Sequence, residues 1–512
     1  MSTRSYLIDT NIIIALEDHH TVKPAYATFS QQAAKHKVNV FVHEAARDDI
    51  LRDKNAIRRG ISLSKLAKFQ VLQKVKGLTK ETLEQRFGKL KKHNDLVDAT
   101  ILHALSIGAA DFLVTEDHGL HERAQKYSSD LARRVLFVAD AAQLLTTTYE
   151  PRDVPIRHVA EVSAHTIQIS DTFFDSLREG YPDFNQWWHE KCISERRPCW
   201  VVYDDDELAG LIVRKDETGT NTDATQKYDK ILKISTFKVS PEKRGIKLGE
   251  LLLKKVLWFA QKNHYDLAYI TAYPDQDALI ALLEFYGFQK TATKADGELI
   301  LERAFSNLRI ERTSGSSVYE IDRKNYPRFV VDDDVRGFVV PIKEDYHDML
   351  YPDLRDARQP DFFRDAGKEA GPKRAGNTIR KVYLCRSPSN LGSPGSILFF
   401  YKGKSEEEPS QALTAVGILE EVAFAQSTKD LMLLTGGRSV YSEVELSDYK
   451  ASLFSPVKVI NYLLVDYIDP PISLDELRSL RIFTGHPPQS IVELKGQKLR
   501  SALDRCNFGF DI

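Results

Sequence analysis

Cysteine is scarce in this chain. Its 512 residues include only four: Cys192, Cys199, Cys385 and Cys506. They are scattered and lack the spacing of zinc ligands, so the sequence argues against a disulfide framework. This usage favours a reducing compartment and predicts a cytoplasmic protein.

Long apolar runs and a strong net charge are also missing. No stretch of 18 apolar residues occurs, so the sequence predicts no membrane span. The N-terminus shows no basic region followed by an apolar stretch and a cleavage site. The 71 Lys and Arg residues nearly balance the 73 Asp and Glu residues. The charge of the whole chain therefore says nothing about a polyanionic partner.

Three sections separate on pattern, and the chain is predicted to be an α/β multidomain protein. The N-terminal section (1–149) alternates strands with helices and predicts a parallel sheet. The middle section (156–310) predicts a mixed α/β domain with a hairpin, two further strands and two helices. The third section (326–512) is rich in strands and predicts a small β-barrel. The stretch TTTYEPRDVP (146–155) reads as a linker between the first two.

Carboxylates recur at predicted strand and helix ends of the N-terminal section. Asp9 and Asp117 follow strands, Glu44 starts a helix, and Asp95 and Asp98 lie one helical turn apart. Carboxyl ends of parallel strands gather ligands, and oxygen ligands suit Mg²⁺ or Mn²⁺. A metal ion bound there would activate a water molecule to attack a phosphodiester. Asp9 could instead cap a helix that begins near Asn11, and Asp98 could be an exposed helix residue.

The stretches LIDTNIII, VHEAARD, DATILHAL and FLVTED occur in the order found in PIN domains. Residues 5–145 resemble this family of metal-dependent ribonucleases, which includes many toxin nucleases. The resemblance implies four catalytic metal ligands: Asp9, Glu44, Asp98 and Asp117. It implies that Asp95 assists the metal, that Thr10 and Asn11 support the site, and that an antitoxin-like protein is a partner.

A basic stretch lies inside the same section. Residues 47–92 contain 14 Lys and Arg against 5 Asp and Glu, so their charge is 14 − 5 = +9. A basic surface beside a carboxylate cluster is what a nuclease needs to bind phosphates. The same run could be a solvated helix face, which is the usual meaning of such a pattern.

A basic, glycine-containing turn joins a strand to a helix in TFKVSPEKRGIKLGELLLKKVLWFA. Together with YITAYPDQDALIALLEFYGFQK it makes residues 156–305 resemble the GNAT acetyltransferases, whose acetyl-CoA loop reads Q/R-x-x-G-x-G/A. The resemblance places the cofactor on seven residues: Val239, Arg244, Gly245, Ile246, Lys247, Leu248 and Gly249. The amides of a helix N-terminus would hold its pyrophosphate.

Three departures from that family stand in the sequence. Lys247 replaces the first core glycine of the loop, and Gln276 replaces a frequent asparagine. Leu283 stands where the family often has a tyrosine that protonates the departing thiolate, and Tyr286 is the nearest alternative. The strand ILKISTFKV carries no obvious glutamate base, so acetyl transfer would proceed by positioning, with water carrying protons.

The strand order of the third section resembles the PUA-like superfamily, closest to its ASCH and EVE branches, which commonly bind RNA or modified bases. Four aromatic residues could stack on bases, although core positions suit them better: Tyr383, Phe399, Phe400 and Tyr401. All four tryptophans lie in the middle section, which excludes a tryptophan cage here.

Together the resemblances imply an RNA-directed enzyme. It would join a PIN ribonuclease to a GNAT N-acetyltransferase and an RNA-recognition barrel, in a toxin-like or RNA-processing role. Two other interpretations stay open. In one, N-acetylation of aminoacyl-tRNA or protein is the main activity and the flanking sections bind RNA, including tRNA. In the other, the chain is a non-catalytic RNA-binding adaptor.

Overall fold

The protein is described by a computed structural model. It covers residues 4–15, 24–52, 56–72, 75, 77–149, 158–204, 207–240, 247–313, 315–356, 378–406, 408–435 and 443–512. The end of the predicted linker, from residue 150, lies outside these ranges. Among the helices of these ranges, none is long and apolar enough to cross a membrane.

A parallel sheet with helices on both faces forms the N-terminal section. Its strands are β1 (Ser5–Ile8), β2 (Asn39–Val42), β3 (Gln70–Val71), β4 (Phe112–Val114) and β5 (Val135–Leu136), in the order β3-β2-β1-β4-β5. Its helices are α1 (Thr10–Ala15), α2 (Pro24–Lys35), α3 (Glu44–Leu51), α4 (Ala56–Leu66), α5 (Lys80–Phe87), α6 (His93–Ser106), α7 (His118–Tyr127), α8 (Ser129–Arg133) and α9 (Val138–Tyr149). This architecture confirms the predicted parallel α/β section.

The first apolar run is shorter as a strand than YLIDTNIII suggested. Strand β1 ends at Ile8, and Asp9 accepts a hydrogen bond from the Thr10 amide at 2.6 Å as helix α1 begins. Along β1, Tyr6 and Ile8 pack into one core cluster and Leu7 into the other. A strand buried on both faces reads as a continuous apolar run, which is why the sequence did not mark its end.

A seven-stranded sheet forms the middle section. Its strands are β6 (Ala160–Ser163), β7 (Pro198–Asp204), β8 (Glu207–Glu217), β9 (Ile231–Val239), β10 (Leu267–Ala272), β11 (Gln289–Thr293) and β12 (Leu299–Ala304), in the order β11-β12-β10-β9-β8-β7-β6. Only β9 and β10 pair in parallel. Helices α10 (Asp175–Gly180) and α11 (Phe184–Trp187) pack on one face, and α12 (Leu248–Lys262) and α13 (Asp277–Phe285) on the other.

The third section contains a six-stranded sheet. Its strands are β13 (Gly337–Ile342), β14 (Arg380–Cys385), β15 (Ile397–Lys402), β16 (Ala412–Ala425), β17 (Val457–Ser473) and β18 (Val492–Leu494), in the order β14-β17-β16-β15-β13-β18. Its helices are α14 (Val318–Asn325), α15 (Glu344–Leu350), α16 (Pro352–Asp356), α17 (Thr428–Thr435), α18 (Glu443–Asp448), α19 (Leu474–Ser479) and α20 (Gln497–Leu503).

The predicted closed barrel is not shown. Over the described residues the ladder runs from β14 to β18 without those two strands pairing. Alternate residues of β15 enter two different apolar clusters, Leu398 and Phe400 one of them and Ile397 and Phe399 the other. The sheet is therefore covered on both faces. The prediction of a barrel rested on the many strands of this section and on their order, which do not distinguish a closed sheet from an open one.

Candidate functional site

The middle sheet opens between its two parallel strands. Strands β9 and β10 are in register from Ile231 opposite Leu267 to Ile234 opposite Ile270. Beyond these pairs, β9 continues against β8 alone as far as Val239, and β10 continues against β12 alone. The two strands thus part at their carboxyl ends and leave a wedge-shaped opening in the middle of the sheet. Ligands of sheets with parallel strands collect at this kind of edge.

Helix α12 follows the carboxyl end of β9 and begins at Leu248. Amides of a first helical turn have no intrahelical acceptor and attract anions. Gly249 lies in that turn, where an added Cβ atom would be 3.3 Å from Leu282 Cδ2. The predicted cofactor residues Arg244, Gly245 and Ile246 lie outside the described residues, whereas Val239 ends β9 and Leu248 and Gly249 begin the helix.

Lys247 has the left-handed backbone conformation, with φ 59° and ψ 24°, and is the N-cap of α12. Glycine adopts this conformation without steric cost, whereas a residue with a Cβ atom does so at some cost in energy. The conformation explains physically why a glycine is expected at this place of the loop. It also shows that a lysine can occupy the position while its amide remains at the start of the helix.

The two residues considered for the place of the family's tyrosine, Leu283 and Tyr286, are both buried in the core. Leu283 is fully buried in the core that α12 and α13 form, and Tyr286 lies in the same core. The Tyr286 hydroxyl has no hydrogen-bond partner among the described residues. Gln276 is the N-cap residue of α13, where its Oε1 atom accepts a hydrogen bond from the Tyr273 amide at 3.2 Å. These residues shape the fold and supply no acid.

Short helices bridge the opening on the opposite face of the sheet. Lys238, near the carboxyl end of β9, donates to the Ser176 hydroxyl of α10 and lies 5.2 Å from the centre of the Phe173 ring. On the β10 side, the Tyr181 and Tyr273 rings are 5.7 Å apart. Helix α10 therefore spans the gap between the two diverging strands.

A buried carboxylate faces this bridge. Tyr181 donates its hydroxyl hydrogen to Glu298 Oε1 at 3.2 Å, and Lys294 pairs with Glu298 at 2.6 Å. Burial and the Glu298 charge raise the pKa of Tyr181 above its usual range, so its hydroxyl stays protonated. This group could not be found in the sequence, because Tyr181 and Glu298 are 117 residues apart and match no motif.

In the N-terminal section, Asp9 and Asp117 lie at the carboxyl ends of β1 and β4, as predicted. The Thr115 hydroxyl donates to Asp9 Oδ2 at 2.7 Å, and Asn11 donates to the same hydroxyl oxygen at 3.2 Å. Asp117 is the N-cap residue of α7 and accepts a hydrogen bond from the Leu120 amide at 3.2 Å. The predicted support from Asn11 is present, and it acts on Asp9 through Thr115.

Asp98 of α6 completes a group of three aspartates. Its burial, then the charge of Asp9 and then that of Asp117, raise the pKa of Asp98 to about 7. Like charges brought close together disfavour ionisation, which is the physical sign of convergence. The sequence predicted one site of Asp9, Glu44, Asp98 and Asp117, and this site stays a prediction.

Asp95 and Glu44 have other surroundings. Asp95 accepts hydrogen bonds from the Lys91 and Lys92 amides at 2.7 and 2.9 Å, which lower its pKa. Its carboxylate also pairs with Arg123 at 3.5 Å. Glu44 begins α3, as predicted, but its side chain is exposed and its charge is not among those that shift the Asp98 pKa. The charges that raise the pKa of Asp98 are those of Asp9, Asp117 and, with a smaller effect, Asp95, and the Glu44 charge is not among them.

The predicted metal site was tested against this arrangement. In the part of the chain that the structure describes, no three His, Cys, Asp or Glu side chains are grouped so that they could hold a metal ion. Oxygen donors of the right chemistry are present at Asp9, Asp98 and Asp117. Asp9 is engaged by the Thr115 hydroxyl and Asp117 by the Leu120 amide, so the residues as placed do not fit Mg²⁺ or Mn²⁺.

The aromatic residues of the third section are mostly core. Phe399, Phe400 and Tyr401 are at most 1% exposed, which excludes them as an open stacking surface. Tyr383 is half-buried and donates its hydroxyl hydrogen to the Pro341 carbonyl oxygen at 3.0 Å. The core alternative stated for these strands is the correct one.

Comparisons with known proteins address the middle section. Residues 162–288 match the acetyltransferase (GNAT) family, so the chain contains a GNAT-type acetyltransferase domain. Sections that contain both helices and strands flank this domain on both sides. The search of curated proteins found no match to the chain.

Three solved structures illustrate the similarities found. The PaiA N-acetyltransferase of Thermoplasma acidophilum, in complex with coenzyme A, is 14% identical with a TM-score of 0.24 over 30% of this chain and 100% of its own. A GNAT acetyltransferase of Elizabethkingia anophelis with acetyl-CoA bound is 15% identical with a TM-score of 0.22 over 29% and 98%. An ASCH protein of Zymomonas mobilis is 16% identical with a TM-score of 0.23 over 34% and 96%.

Proposed function

We propose that this protein is an N-acetyltransferase that uses acetyl-CoA. The observation that carries the proposal is the agreement between the GNAT match over residues 162–288 and the opening between β9 and β10, with the N-terminus of α12 following β9. An anion-binding helix terminus beside a gap in a sheet offers one place for a pyrophosphate and another for an extended thioester arm.

Acetyl-CoA would supply an acetyl thioester. In the transfer, a bond forms between the acceptor nitrogen and the acetyl carbon, and the C–S bond breaks. Coenzyme A leaves as the thiolate; the amine gives its proton to water, and the thiolate takes a proton from water. The amides of Leu248 and Gly249 would bind the pyrophosphate. Because Leu283 cannot donate a proton, the chain would accelerate transfer mainly by holding the two reactants together.

The acceptor would enter on the face that α10 covers. Tyr181 and Tyr273 offer half-buried rings there, on which the apolar part of an acceptor with a free amine would pack. An aminoacyl-tRNA and a protein α-amine both carry such a group. RNA as a partner, the cytoplasmic location and the division into three domains stay predictions from the sequence.

The test uses the purified full chain. Isothermal titration calorimetry would measure acetyl-CoA binding, and labelled acetyl-CoA would measure transfer to aminoacyl-tRNA and to N-terminal peptides. Gly249→Asp places a carboxylate in the first turn of α12 and should weaken binding more than tenfold, since it repels the phosphates (about 1.4 kcal/mol per factor of ten). Gly485→Asp is the control for a carboxylate added elsewhere, where a Cβ atom meets nothing within 4 Å. Gly249→Asn is the control for the contact of a new side chain with Leu282, since it has nearly the same shape and no charge.

Absence of binding by the natural sequence would overturn the proposal. Equal affinities of Gly249→Asp and Gly485→Asp would overturn the placement of the pyrophosphate. Binding without any transfer would favour the adaptor alternative for this section.

A second candidate is RNA cleavage by a PIN-type nuclease in the N-terminal section. The observation in its favour is the convergence of Asp9, Asp98 and Asp117 at the carboxyl ends of β1 and β4. Exposed basic residues of the 47–92 stretch precede α6 and lie close in sequence to this group, among them Lys89, Lys91 and Lys92. It stands second because the three carboxylates as placed do not fit a metal ion.

This candidate has a separate test. Total RNA would be incubated with the full chain and Mn²⁺ or Mg²⁺, and Mn²⁺ binding would be measured by calorimetry. Cleavage that Asp9→Asn abolishes and Asp130→Asn retains would establish it, because Asp130 lies in α8 away from the group. Cleavage that is absent, or that survives Asp9→Asn, would remove both the nuclease and the reason to expect an antitoxin-like partner.

A further inference from the structure

A stripe of side chains on helix α12 connects the acetyltransferase domain to the third section. Glu250, Lys254, Trp258 and Lys262 occur at intervals of four residues, so they lie on one side of the helix. Each of them contacts a residue beyond position 320. The helix whose N-terminus follows β9 is thus held by another part of the chain from its first turn to its last.

The first contact is at the N-terminus of the helix. Glu250 Oε1 accepts a hydrogen bond from the Arg380 amide at 2.7 Å. The Arg380 guanidinium pairs with Glu420, with Nε and Oε2 at 3.0 Å. A carboxylate in the first helical turn competes with a phosphate for the helix terminus. The hydrogen bond from the Arg380 amide therefore holds the Glu250 carboxylate in one position.

The second contact is an ion pair between a buried lysine and a half-buried aspartate. Lys254 is 5% exposed, and its Nζ atom lies 2.9 Å from Asp353 Oδ2. Tyr467 donates its hydroxyl hydrogen to the same carboxylate at 3.1 Å. Removing the partner of a buried lysine leaves an uncompensated charge, so this contact holds the middle of the helix firmly.

The last contacts lie in the final turns. Trp258 Nε1 donates to the Tyr326 hydroxyl oxygen at 2.6 Å, and that hydroxyl donates to the Leu464 carbonyl oxygen at 2.6 Å. Lys262 Nζ lies 2.9 Å from Asp466 Oδ1. Leu464 and Asp466 both belong to β17, the longest strand of the third section.

We propose that Asp353, Arg380 and Asp466 of the third section are positioning residues for acetyl-CoA binding. They act through Glu250, Lys254 and Lys262, and they keep the N-terminus of α12 aligned with the opening between β9 and β10. The inference rests on the proposed function, since it concerns the same cofactor site. It assigns the third section a part in acetyl transfer that does not depend on RNA binding.

A consequence follows from the length of the helix. Lys262 is 14 residues beyond Leu248, which corresponds to about 21 Å along the axis. Asp466 therefore lies too far away to touch acetyl-CoA, and any effect on its affinity must pass through the helix. By reciprocity, acetyl-CoA must stabilise the contact between α12 and β17 by the same factor.

The experiment compares variants of the full chain. Asp466→Asn removes the charge at the more exposed pair, and Asp353→Asn removes it at the pair with the buried lysine. Asp475→Asn is the control, because Asp475 is 92% exposed and pairs only locally, with Arg478 at 3.1 Å. The acetyl-CoA dissociation constant would be measured well below each melting temperature. We expect it to rise about fivefold or more for both test variants and to stay unchanged for the control.

Hydrogen-exchange mass spectrometry supplies the second readout. Acetyl-CoA should slow exchange in 457–473 of the natural sequence, and this protection should be lost in Asp466→Asn. A merely structural role would lower the melting temperature without either effect. Asp353→Asn could fail to fold, in which case Asp466→Asn alone decides.

Different results would overturn the proposed function and the positioning role. If the natural sequence does not bind acetyl-CoA, the proposed function is wrong. If it binds, but Asp466→Asn has the same dissociation constant and 457–473 gains no protection, the positioning role is wrong and the proposed function stands.

Discussion

Substitution of Asp98 by asparagine should stabilise the N-terminal section. Burial and the charges of Asp9 and Asp117 raise the pKa of Asp98 to about 7. Asparagine has nearly the same shape and carries no charge, so it removes the repulsion within the group. A residue whose replacement increases stability would be held in place for function and not for the fold.

The size of the effect follows from the pKa difference. The usual pKa is 3.8, and a difference of about three pKa units corresponds to about 4 kcal/mol, which is an upper limit because Asp98 is only partly buried. The native state binds the proton more tightly than the unfolded state. The stability that Asp98 contributes is therefore complete below about pH 4 and is lost as the pH rises towards 7. As the pH rises from about 5 to about 8, the free energy of unfolding of Asp98→Asn should increase by about 1–2 kcal/mol relative to that of the natural sequence.

Hydrogen-exchange mass spectrometry is the suitable assay. All four tryptophans lie in 187–258, so tryptophan fluorescence does not report directly on the N-terminal section. Peptides that cover β1 and α6 do, and about 1.4 kcal/mol corresponds to a tenfold change in the opening equilibrium. Exchange would be compared at about pH 5 and pH 8 after correction for the intrinsic rate.

Asp95→Asn is the matched control on the same face of α6. Hydrogen bonds from the Lys92 and Lys91 amides lower the pKa of Asp95, so its contribution has the opposite sign. The stability that the Asp95 carboxylate contributes is present at neutral pH and is lost as the pH falls. Asp95→Asn should therefore destabilise helix α6 at neutral pH. A difference between Asp98→Asn and the natural sequence that is zero, or that does not grow with pH, would refute the convergence of Asp9, Asp98 and Asp117.

Three further predictions concern single side chains. Burial lowers the pKa of His121 to about 4, so the N-terminal section should lose up to about 3 kcal/mol as the pH falls from 6.5 to 4, and acid unfolding of His121→Gln by circular dichroism should lack this step. Gly287 has φ +90°, and an added Cβ atom would be 2.1 Å from the Lys324 carbonyl oxygen. Gly287→Ala should therefore cost about 3 kcal/mol or more in a melting experiment, whereas Gly60→Ala, in open space, should cost nothing. Leu283→Ala should cost about 2–5 kcal/mol by leaving a cavity, while the pH profile of acetyl transfer stays unchanged; a changed profile would mean that the position takes part in proton transfer.

Much of the local structure could be predicted from the sequence. The stretch NDLVDATILHAL specifies helix α6, whose first turn Asp95 caps, and residues 248–262 specify α12 by their apolar periodicity. The alternation of strands and helices in 1–149 was sufficient for a parallel sheet. These features depend on neighbours within a few residues, so the linear pattern contains them.

The candidate sites were predicted less completely. The sequence placed Asp9 and Asp117 at the ends of strands, and the structure shows them at the carboxyl ends of the neighbouring strands β1 and β4, whereas a common site with Asp98 stays a prediction. Glu44 was added to this set because its motif stands in the order found in PIN domains. In the structure its side chain is exposed at the start of α3. Tyr181, Tyr273 and Glu298 were missed, since only the bridging of the opening by α10 brings them together.

The sequence by itself determined the helices, the strands and the acetyltransferase-like succession of the middle section, because hydrophobic period and turn chemistry are local. Only the tertiary structure decided that β9 and β10 part at Ile234 and Ile270, that Lys247 takes the left-handed conformation, and that every fourth residue of α12 meets the third section. Such features arise from contacts between residues far apart along the chain. Their free energy depends on how whole elements pack, and no short stretch of sequence records it.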